Sequence, residues 1–332
     1  MVVIYHYGTH LSIFKDGIFH EFFNHGAVAV SFFFFLSGVV LAYNYGVGTS
    51  TKKFFLKRVF RIYPIYVITY ILVFIMMLWL GKKTPDIFHA IMNFLALQSW
   101  LPGYAMELNY PSWSISAEFF LYATFPLLLY FSKRIKWNYF VLICIAVIVL
   151  GWLQHYYFVN VIYDPERYRV NQLINFFPPF HFSTFVAGFL CGKWVKILQK
   201  KTVNSWIYSL LATLGILLFI LLLNTENDIR TYSHNGGLIP VFMLICIGLA
   251  LDQKFYKTIF GSKALLYLGN ISYGIYMWQF AVFMVFSTFF AQEELSLNVF
   301  TIFILVLVLW GAVSYEFIEK PSRKILSGKF LR

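Results

Sequence analysis

Charged side chains are scarce in this sequence: 12% of its 332 residues are Asp, Glu, Lys or Arg, whereas 60% are hydrophobic. Long polar segments are missing too, and apolar runs long enough to cross a bilayer recur from one end to the other. This composition excludes a soluble globular protein and leaves no segment for a soluble second domain. We therefore predict an all-α fold, a polytopic bundle of transmembrane helices that forms one integral membrane domain over residues 1–332.

Cysteine is also rare, and the three that occur, Cys144, Cys191 and Cys246, lie far apart in apolar runs. None has the CxxC or Cys/His spacing that is typical of metal sites. We interpret them as small core residues, not as disulfide partners or metal ligands, and we predict no metal site. The first residues lack the basic region and the small-residue cleavage site of a secretory signal peptide, so we predict no cleavable signal.

Ten apolar segments are candidate membrane spans. They are Met1–Phe14, Ala27–Tyr45, Ile62–Leu80, Ser112–Phe131, Trp137–Tyr157, Phe180–Leu198, Ser205–Leu223, Gly237–Leu251, Leu265–Phe290 and Leu297–Phe317. Another apolar segment, Ile87–Trp100, has 14 residues, too few to cross a hydrocarbon core of about 30 Å comfortably. We expect Ile87–Trp100 to lie at the interface or to re-enter on one side.

The placement of the basic residues favours this topology. If Ile87–Trp100 does not cross and the N-terminus is cytoplasmic, 20 of the 26 Lys and Arg residues fall in inner loops. The positive-inside rule then predicts ten spans with both termini cytoplasmic. We also expect a multi-pass location in the plasma (bacterial inner) membrane. The net charge of +12 is thus mostly a topology signal. No nucleic-acid motif accompanies the positive charge. We therefore predict that the protein contacts the lipid bilayer and does not bind nucleic acid.

The first candidate span, Met1–Phe14, is short. Its 14 residues give about 21 Å of helix, which is less than the hydrocarbon thickness, and no cationic anchor precedes it. We expect that the chain begins inside a longer first helix. The alternative is a short or tilted helix in a locally thinned bilayer.

Glu118 lies inside an apolar run, where a carboxylate is costly, so we expect it to face a protein or water-filled interior. Ser114 and Tyr122 are four residues before and after it, and on a helix all three share one face. An ionisable residue within a membrane helix is a candidate functional residue. The alternative is a buried Glu that only joins two helices by hydrogen bonds.

His6 and Glu118 are predicted to lie at similar depths. Helix rise puts His6 about 12 Å from the outer end of its span and Glu118 about 9 Å from the outer end of its own. The carboxylate could then orient the imidazole as a general base. The alternative for His6 is a histidine that is hydrogen-bonded into a polar contact between helices.

Arg58 and Arg61 lie one turn apart at the cytoplasmic start of the third span. Arginines at this spacing can bind phosphate oxygens bidentately. Basic residues at an inner helix end are also an ordinary topology signal and contact lipid head groups, so spacing alone favours that interpretation.

Five motifs together resemble the acyltransferase 3 family of membrane acyltransferases, which includes O-acetylases of surface polysaccharides. In chain order they read FFFFLSG, RVFRIYP, PSWSISAEFFLYATFP, NISYGIYMWQF and FIEKPSRK. The resemblance covers nearly the whole chain. It implies acyl-CoA, such as acetyl-CoA, as a donor substrate on the cytoplasmic side, with no permanently bound cofactor. It also implies an acceptor hydroxyl, on a glycan or glycolipid, that is reached from the outer side.

The resemblance also implies roles for individual residues. His6 matches the catalytic histidine of the first helix, as base or acyl carrier, and Glu118 matches the acidic residue of an S-W-S-x-S-x-E motif. Arg58 and Arg61 match an R-x-x-R pair that holds the phosphates of CoA. The residues expected to contact the substrate are Trp113, Ser114, Ser116 and Tyr122.

The sequence departs from the family pattern at two positions. The family usually carries an Arg eleven residues before the histidine, a position that would precede Met1. Its penultimate span often reads Y-L-W-H, and the residue at the place of that His is Gln279.

Two other functions stay open at this point. A transporter or flippase for a lipid-linked sugar would have helices broken by Gly or Pro in matching halves, and Pro178–Pro179 has no such counterpart. The second alternative is a membrane scaffold without catalytic activity, which stays open because the upstream Arg is absent.

Overall fold

The computed structural model describes residues 1–15, 20–46, 48–201, 204–224, 235–290 and 295–324. Within these ranges every regular element is helical. The α-helices are α1 (Val2–Tyr7), α2 (Ser12–Lys15), α3 (His20–Asn24), α4 (Val28–Asn44), α5 (Thr51–Trp79), α6 (Ile87–Phe94), α7 (Trp113–Arg134), α8 (Trp137–Tyr157), α9 (Tyr168–Phe176), α10 (Phe182–Leu198), α11 (Ser205–Leu223), α12 (Ile239–Leu251), α13 (Phe255–Phe260), α14 (Lys263–Phe290) and α15 (Leu297–Ser314). Shorter elements are the 3₁₀ helices Gln98–Trp100, Tyr110–Ser112 and Pro178–His181 and the π turns Phe158–Ile162 and Tyr315–Glu319.

Long apolar helices dominate the described ranges. Six are long and apolar enough to cross a membrane: Thr51–Trp79, Tyr110–Arg134, Trp137–Ile162, Ser205–Leu223, Lys263–Phe290 and Leu297–Lys324. A seventh candidate is the pair Tyr168–Phe176 and Pro178–Leu198, which is bent by 41°. Two apolar helices, α4 and α12, have fewer than 18 residues. The predicted all-α membrane bundle is confirmed, whereas the ten spans and the cytoplasmic termini stay predictions.

Large apolar side chains cover the outside of the bundle. Leu150 of α8, Leu210 of α11 and Leu309 of α15 are 64%, 69% and 65% exposed. A soluble protein rarely exposes apolar surface on this scale, whereas lipid tails solvate it well. The exposed faces therefore fit a bilayer environment.

The chain start differs from the expected single helix over Met1–Phe14. Helix α1 ends at Tyr7, and a turn closed by a bond from the Leu11 N–H to the Gly8 carbonyl separates it from α2. Phe300 of α15 packs against this turn, and a Cβ on Gly8 would lie 2.8 Å from its ring. The helix is interrupted where α15 approaches most closely.

Helix α6 occupies the segment that was predicted not to cross. Its eight residues span about 12 Å, well short of a bilayer core. Asp86 caps it, accepting the N–H of His89 at 3.0 Å, and this backbone hydrogen bond is the main reason why the pKa of Asp86 is lowered. Tyr63 and Tyr70 of α5 donate to carbonyls of α6. Ile87–Trp100 is thus packed against the middle of α5 as a short helix followed by a 3₁₀ turn.

Helices α4 and α10 pack against each other without intervening side chains. A Cβ on Gly188 would lie 1.9 Å from the carbonyl oxygen of Phe35, and one on Gly38 would lie 2.3 Å from that of Phe185. Glycine at both positions lets the two backbones touch. This contact fixes α4, and with it Ser37, against the rest of the core.

Candidate functional site

A cavity of about 300 Å³ lies between α4, α5, α7 and α14, with the first turn of α1 at one end. Its polar lining consists of Ser37, Arg58, Arg61, Ser114, Glu118, Tyr122, Ser272, Tyr273 and Tyr276. Apolar residues of α4, among them Phe33, Leu36 and Val40, form one wall. Charged groups inside a membrane protein are expected to face such an interior, as Glu118 does.

Glu118 lies at the middle of the cavity wall and is 2% exposed. Its Oε1 accepts a hydrogen bond from Tyr122, one turn later on α7, and a longer one of 3.5 Å from Ser37 of α4. Its Oε2 is buried and has no hydrogen-bond partner among the described residues. Arg58 and Arg61 of α5 line the same cavity. Glu118 therefore joins α4 and α7 at a cavity that it shares with the two arginines.

Arg58 is held by aromatic rings. Its Nη2 donates to Tyr45 at 2.9 Å, and its guanidinium lies 5.5 Å from the ring centroid of Tyr45 and 5.9 Å from those of Phe54 and Tyr122. The buried Nε has no partner among the residues that the structure describes. An arginine clamped in this way keeps a fixed orientation and retains donor capacity for a ligand.

Arg61 lies one turn after Arg58 and is exposed. Its charge acts on two buried carboxylates, those of Glu118 and Glu319, and on the guanidinium of Arg323. The two arginines of α5 therefore place positive charge at the end of the cavity nearest the start of α5. An anionic group is the ligand that this end can bind.

Hydroxyl groups line the opposite end of the cavity. Ser114 Oγ and Tyr276 Oη lie 3.0 Å apart, and the carbonyl oxygen of Pro111 is 3.1 Å and 2.8 Å from them. Gln279, at the place of the family's histidine, is fully buried and donates to the carbonyl of Tyr276. Its position is behind Tyr276, and it does not line the cavity.

His6 lies just beyond this hydroxyl end. Val2, one turn before His6 on α1, lines the cavity, whereas His6 itself does not. The His6 ring packs edge-on against Tyr110, with 4.9 Å between centroids, and more distantly against Tyr7. Tyr110 in turn donates a hydrogen bond to Tyr7. Tyrosine rings thus pack around His6.

His6 and Glu118 do not contact each other as the expected pair. His6 packs against Tyr110, which precedes Glu118 by eight residues, or about 12 Å along α7 and its leading 3₁₀ turn. Glu118 bonds instead to Tyr122 and Ser37. The depth estimate assumed one helix over Met1–Phe14, whereas α1 ends at Tyr7.

Two of the residues expected to contact substrate lie outside the cavity. Trp113 packs against Phe34, Phe176 and His181 in the core. Ser116 is buried on another face of α7 and does not line the cavity. Ser114 and Tyr122, which share the face of Glu118, do line it.

Sequence reasoning missed four polar residues of the cavity, Ser37, Ser272, Tyr273 and Tyr276. All four lie within motifs that the sequence had singled out, FFFFLSG and NISYGIYMWQF. Residues 272, 273 and 276 fall on one face at i, i+1 and i+4, a pattern that could have indicated the face of α14 that lines the cavity.

Comparison with known proteins identifies a matching family and several similar proteins. A family model described as an acyltransferase domain, the acyltransferase 3 model, matches residues 1–316. The protein of Acidianus two-tailed virus named Putative acetyltransferase ORF330 is 28% identical over 285 residues, covering 83% of this chain and 78% of that protein.

Two further relatives carry acyltransferase names. A protein of Staphylococcus aureus strain COL named Putative O-acetyltransferase is 25% identical over 330 residues, which are 90% of this chain and 53% of that protein. The chain thus spans about half the length of the staphylococcal relatives. The Acyltransferase MdmB of Streptomyces mycarofaciens is 37% identical over 108 residues, 31% of this chain and 28% of that protein. No solved structure matches. Because the family model covers nearly the whole sequence, this chain belongs to the acyltransferase 3 family and is an acyltransferase.

Proposed function

We propose that this protein is an O-acyltransferase, most specifically an O-acetyltransferase, of the plasma (bacterial inner) membrane. It takes the acyl group from acyl-CoA on the cytoplasmic side and transfers it to a hydroxyl of a glycan or glycolipid outside. The names of the viral and staphylococcal relatives support acetyl as the group transferred.

The observation that carries the proposal is the polarity of the cavity. One end has the positive charges of Arg58 and Arg61, and the other has hydroxyl groups close to His6. A donor with phosphates at one end and a thioester at the other matches this arrangement. The cavity extends along about two turns of α7, from Tyr122 to Ser114. The pantetheine arm therefore has a path toward His6.

The transfer step follows from these positions. A ring nitrogen of His6 takes the proton of the acceptor hydroxyl while the acceptor oxygen attacks the thioester carbonyl carbon. The ester C–O bond forms, the C–S bond breaks, and the CoA thiolate leaves with the electron pair and is protonated. If His6 carries the acyl group, its ring nitrogen first attacks the thioester carbonyl carbon, so that a C–N bond forms, the C–S bond breaks and the CoA thiolate leaves. The acceptor oxygen then attacks the acyl-imidazole, so that the ester C–O bond forms, the C–N bond breaks and the imidazole is regenerated. Glu118 then acts through Tyr122 and the arginines, and it does not touch His6.

Transfer of radiolabelled acetyl from acetyl-CoA in membranes containing the protein tests the proposal. We expect label in a lipid-linked or extracytoplasmic glycan fraction, and none with membranes that lack the protein. Release of the label by mild base identifies an O-ester. Absence of transfer to every glycan fraction of a host that makes O-acetylated glycans would contradict the proposed function.

A further inference from the structure

The last motif, FIEKPSRK, reads in the sequence as a charged stop at the end of the final span, yet its Glu is buried. Residues Tyr315–Glu319 form a π turn that continues α15, and Glu319 is 1% exposed. π turns inside α-helices are frequent at functional sites because they re-aim a side chain. Here the turn directs Glu319 inward, toward Gly274 of α14, where a Cβ would lie 3.4 Å from its Oε1.

The carboxylate of Glu319 has one partner and one spare oxygen. Its Oε2 accepts a hydrogen bond of 2.9 Å from Nη2 of Arg323, one turn later. Its Oε1 is buried and has no hydrogen-bond partner within the described ranges. Burying a carboxylate is costly in free energy. A buried Glu that orients an arginine is therefore expected to do more than end a helix.

Arg323 belongs to the same charge cluster as the arginines of α5. Glu319 lies against Gly274, the neighbour of Tyr273, and Tyr273 lines the cavity together with Arg58 and Arg61. The cluster holds three arginines and at most two negative charges, so at least one positive charge is in excess. The buried Nε atoms of Arg58 and Arg323 both lack partners among the described residues. Spare donors and excess positive charge are the requirements of an anion site.

We propose that Arg323, positioned by Glu319, is a third phosphate-binding arginine of the donor site and binds the ribose 3′-phosphate of acyl-CoA. This rests on the proposed function, in which the donor is acyl-CoA. The assignment to the 3′-phosphate follows from position. Arg58 and Arg61 line the cavity, whereas Arg323 lies outside it with its side chain 34% exposed. The diphosphate is attached to the pantetheine arm that enters the cavity, and the 3′-phosphate is the group farthest from that arm.

The test compares binding of CoA and 3′-dephospho-CoA to the purified full chain by calorimetry, without any transfer step. We expect the protein to bind CoA at least about tenfold more tightly than 3′-dephospho-CoA, since charge-assisted bonds to phosphate are strong. Arg323→Gln should weaken CoA binding by about tenfold and leave 3′-dephospho-CoA binding unchanged, so that the preference disappears. Glu319→Gln should reduce the preference partly.

Lys320→Gln is the matched control, because Lys320 lies on the same segment, is exposed and pairs with Glu316 at 2.8 Å. It should keep the full preference. An Arg323→Gln protein that retains the preference, or that loses affinity for both ligands equally, would overturn the proposal. If Arg323→Gln does not fold, Arg323→Lys, which keeps the charge and loses the fork, should give an intermediate preference. CoA binding with the expected preference but without acyl transfer would refute the proposed function alone.

Discussion

Arg61 owes its importance to its surroundings. It is an exposed guanidinium at the mouth of the cavity, and its charge acts on two buried carboxylates on different helices, Glu118 of α7 and Glu319 at the end of α15. Neither carboxylate neutralises it by a direct ion pair among the described contacts. A guanidinium that is oriented by charge and left open to a ligand is suited to bind phosphate.

Arg61→Ala should therefore raise the apparent KM for acyl-CoA by about tenfold or more, because a charge-assisted bond to phosphate is worth roughly 1.5–3 kcal/mol. Arg61→Lys keeps the charge but loses the bidentate fork, so it should restore donor affinity only in part. Steady-state acetyl transfer at varied acetyl-CoA measures both. If neither change affects donor dependence in a folded protein, the Arg pair is only a topology anchor.

His6→Ala should lower kcat by at least about a hundredfold, because general-base catalysis typically contributes 10²–10⁴-fold. Near-normal transfer by this variant would return His6 to a structural role. Expression in membranes and the elution profile after solubilisation control for misfolding.

Glu118→Gln should act on a different parameter. Because Glu118 contacts Tyr122 and Ser37 and balances the arginines, the amide should mainly raise the KM for acyl-CoA. The double variant with His6→Ala should lose kcat/KM by about the product of the two single losses, as expected for residues without shared partners. A double variant no worse than His6→Ala alone would mean that the two residues act as a unit.

At the residue scale, spacing along one helix predicted which residues lie together better than reasoning about residues far apart in the sequence. Residues 114, 118 and 122 were expected on one helix face, and all three line the cavity. The pairing of His6 with Glu118 could not be derived, since it depended on whether α1 continues past Tyr7, and Phe300, nearly 300 residues away, bears on that. Tyr273 and Tyr276 carried no signal by themselves, because tyrosine is ordinary in this aromatic-rich sequence.

At the scale of elements, the contact of α4 with α10 determines the geometry of the cavity. Ser37 reaches Glu118 because α4 is pressed against α10 through Gly38 and Gly188. Packing between membrane helices depends on such close approach, since lipid tails are as apolar as leucine. A side chain inserted here should move α4 as a whole.

Gly188→Ala should lower the stability of the solubilised protein by roughly 1–3 kcal/mol or more, because its Cβ would meet the backbone of Phe35. Thermal unfolding followed by the loss of a monodisperse elution peak measures this. Gly269→Ala is the control, since a Cβ at Gly269 of α14 meets nothing within 4 Å. Equal unfolding temperatures for the two variants would contradict the close packing of α4 on α10.

Helix existence was predictable where apolar runs exceed about 18 residues, because no other element satisfies the backbone in lipid. Six of the predicted spans correspond to such helices. Composition did not predict where the shorter helices begin and end. Ala27–Tyr45 and Gly237–Leu251 gave helices of 17 and 13 residues, and Met1–Phe14 gave no continuous helix, because packing against neighbours sets their ends.

At the scale of the whole molecule, the arginine cluster and the hydroxyl end of the cavity must face opposite sides of the membrane if acyl groups are to pass outward. Arg58 and Arg61 lie near the start of α5, and Arg323 lies at the end of the helix that begins as α15. The charge pattern predicts that both of these ends lie in the cytoplasm. Whether they share a side depends on Ile87–Trp100, because a crossing there would invert everything that follows.

Cysteine labelling decides this point. In a background without Cys144, Cys191 and Cys246, single cysteines are placed at three exposed positions: Lys52 in the first turn of α5, Pro102 after the 3₁₀ turn, and Lys133 at the end of α7. Pro102 is preferable to Gly103, whose φ of +97° disfavours any side chain. If helix α6 does not cross, as its length of about 12 Å implies, a membrane-impermeant reagent should label position 102 in intact cells and positions 52 and 133 only after lysis. Labelling of positions 52 and 133 from opposite sides would require a crossing between α5 and α7, and would place the later basic clusters outside, against the positive-inside rule.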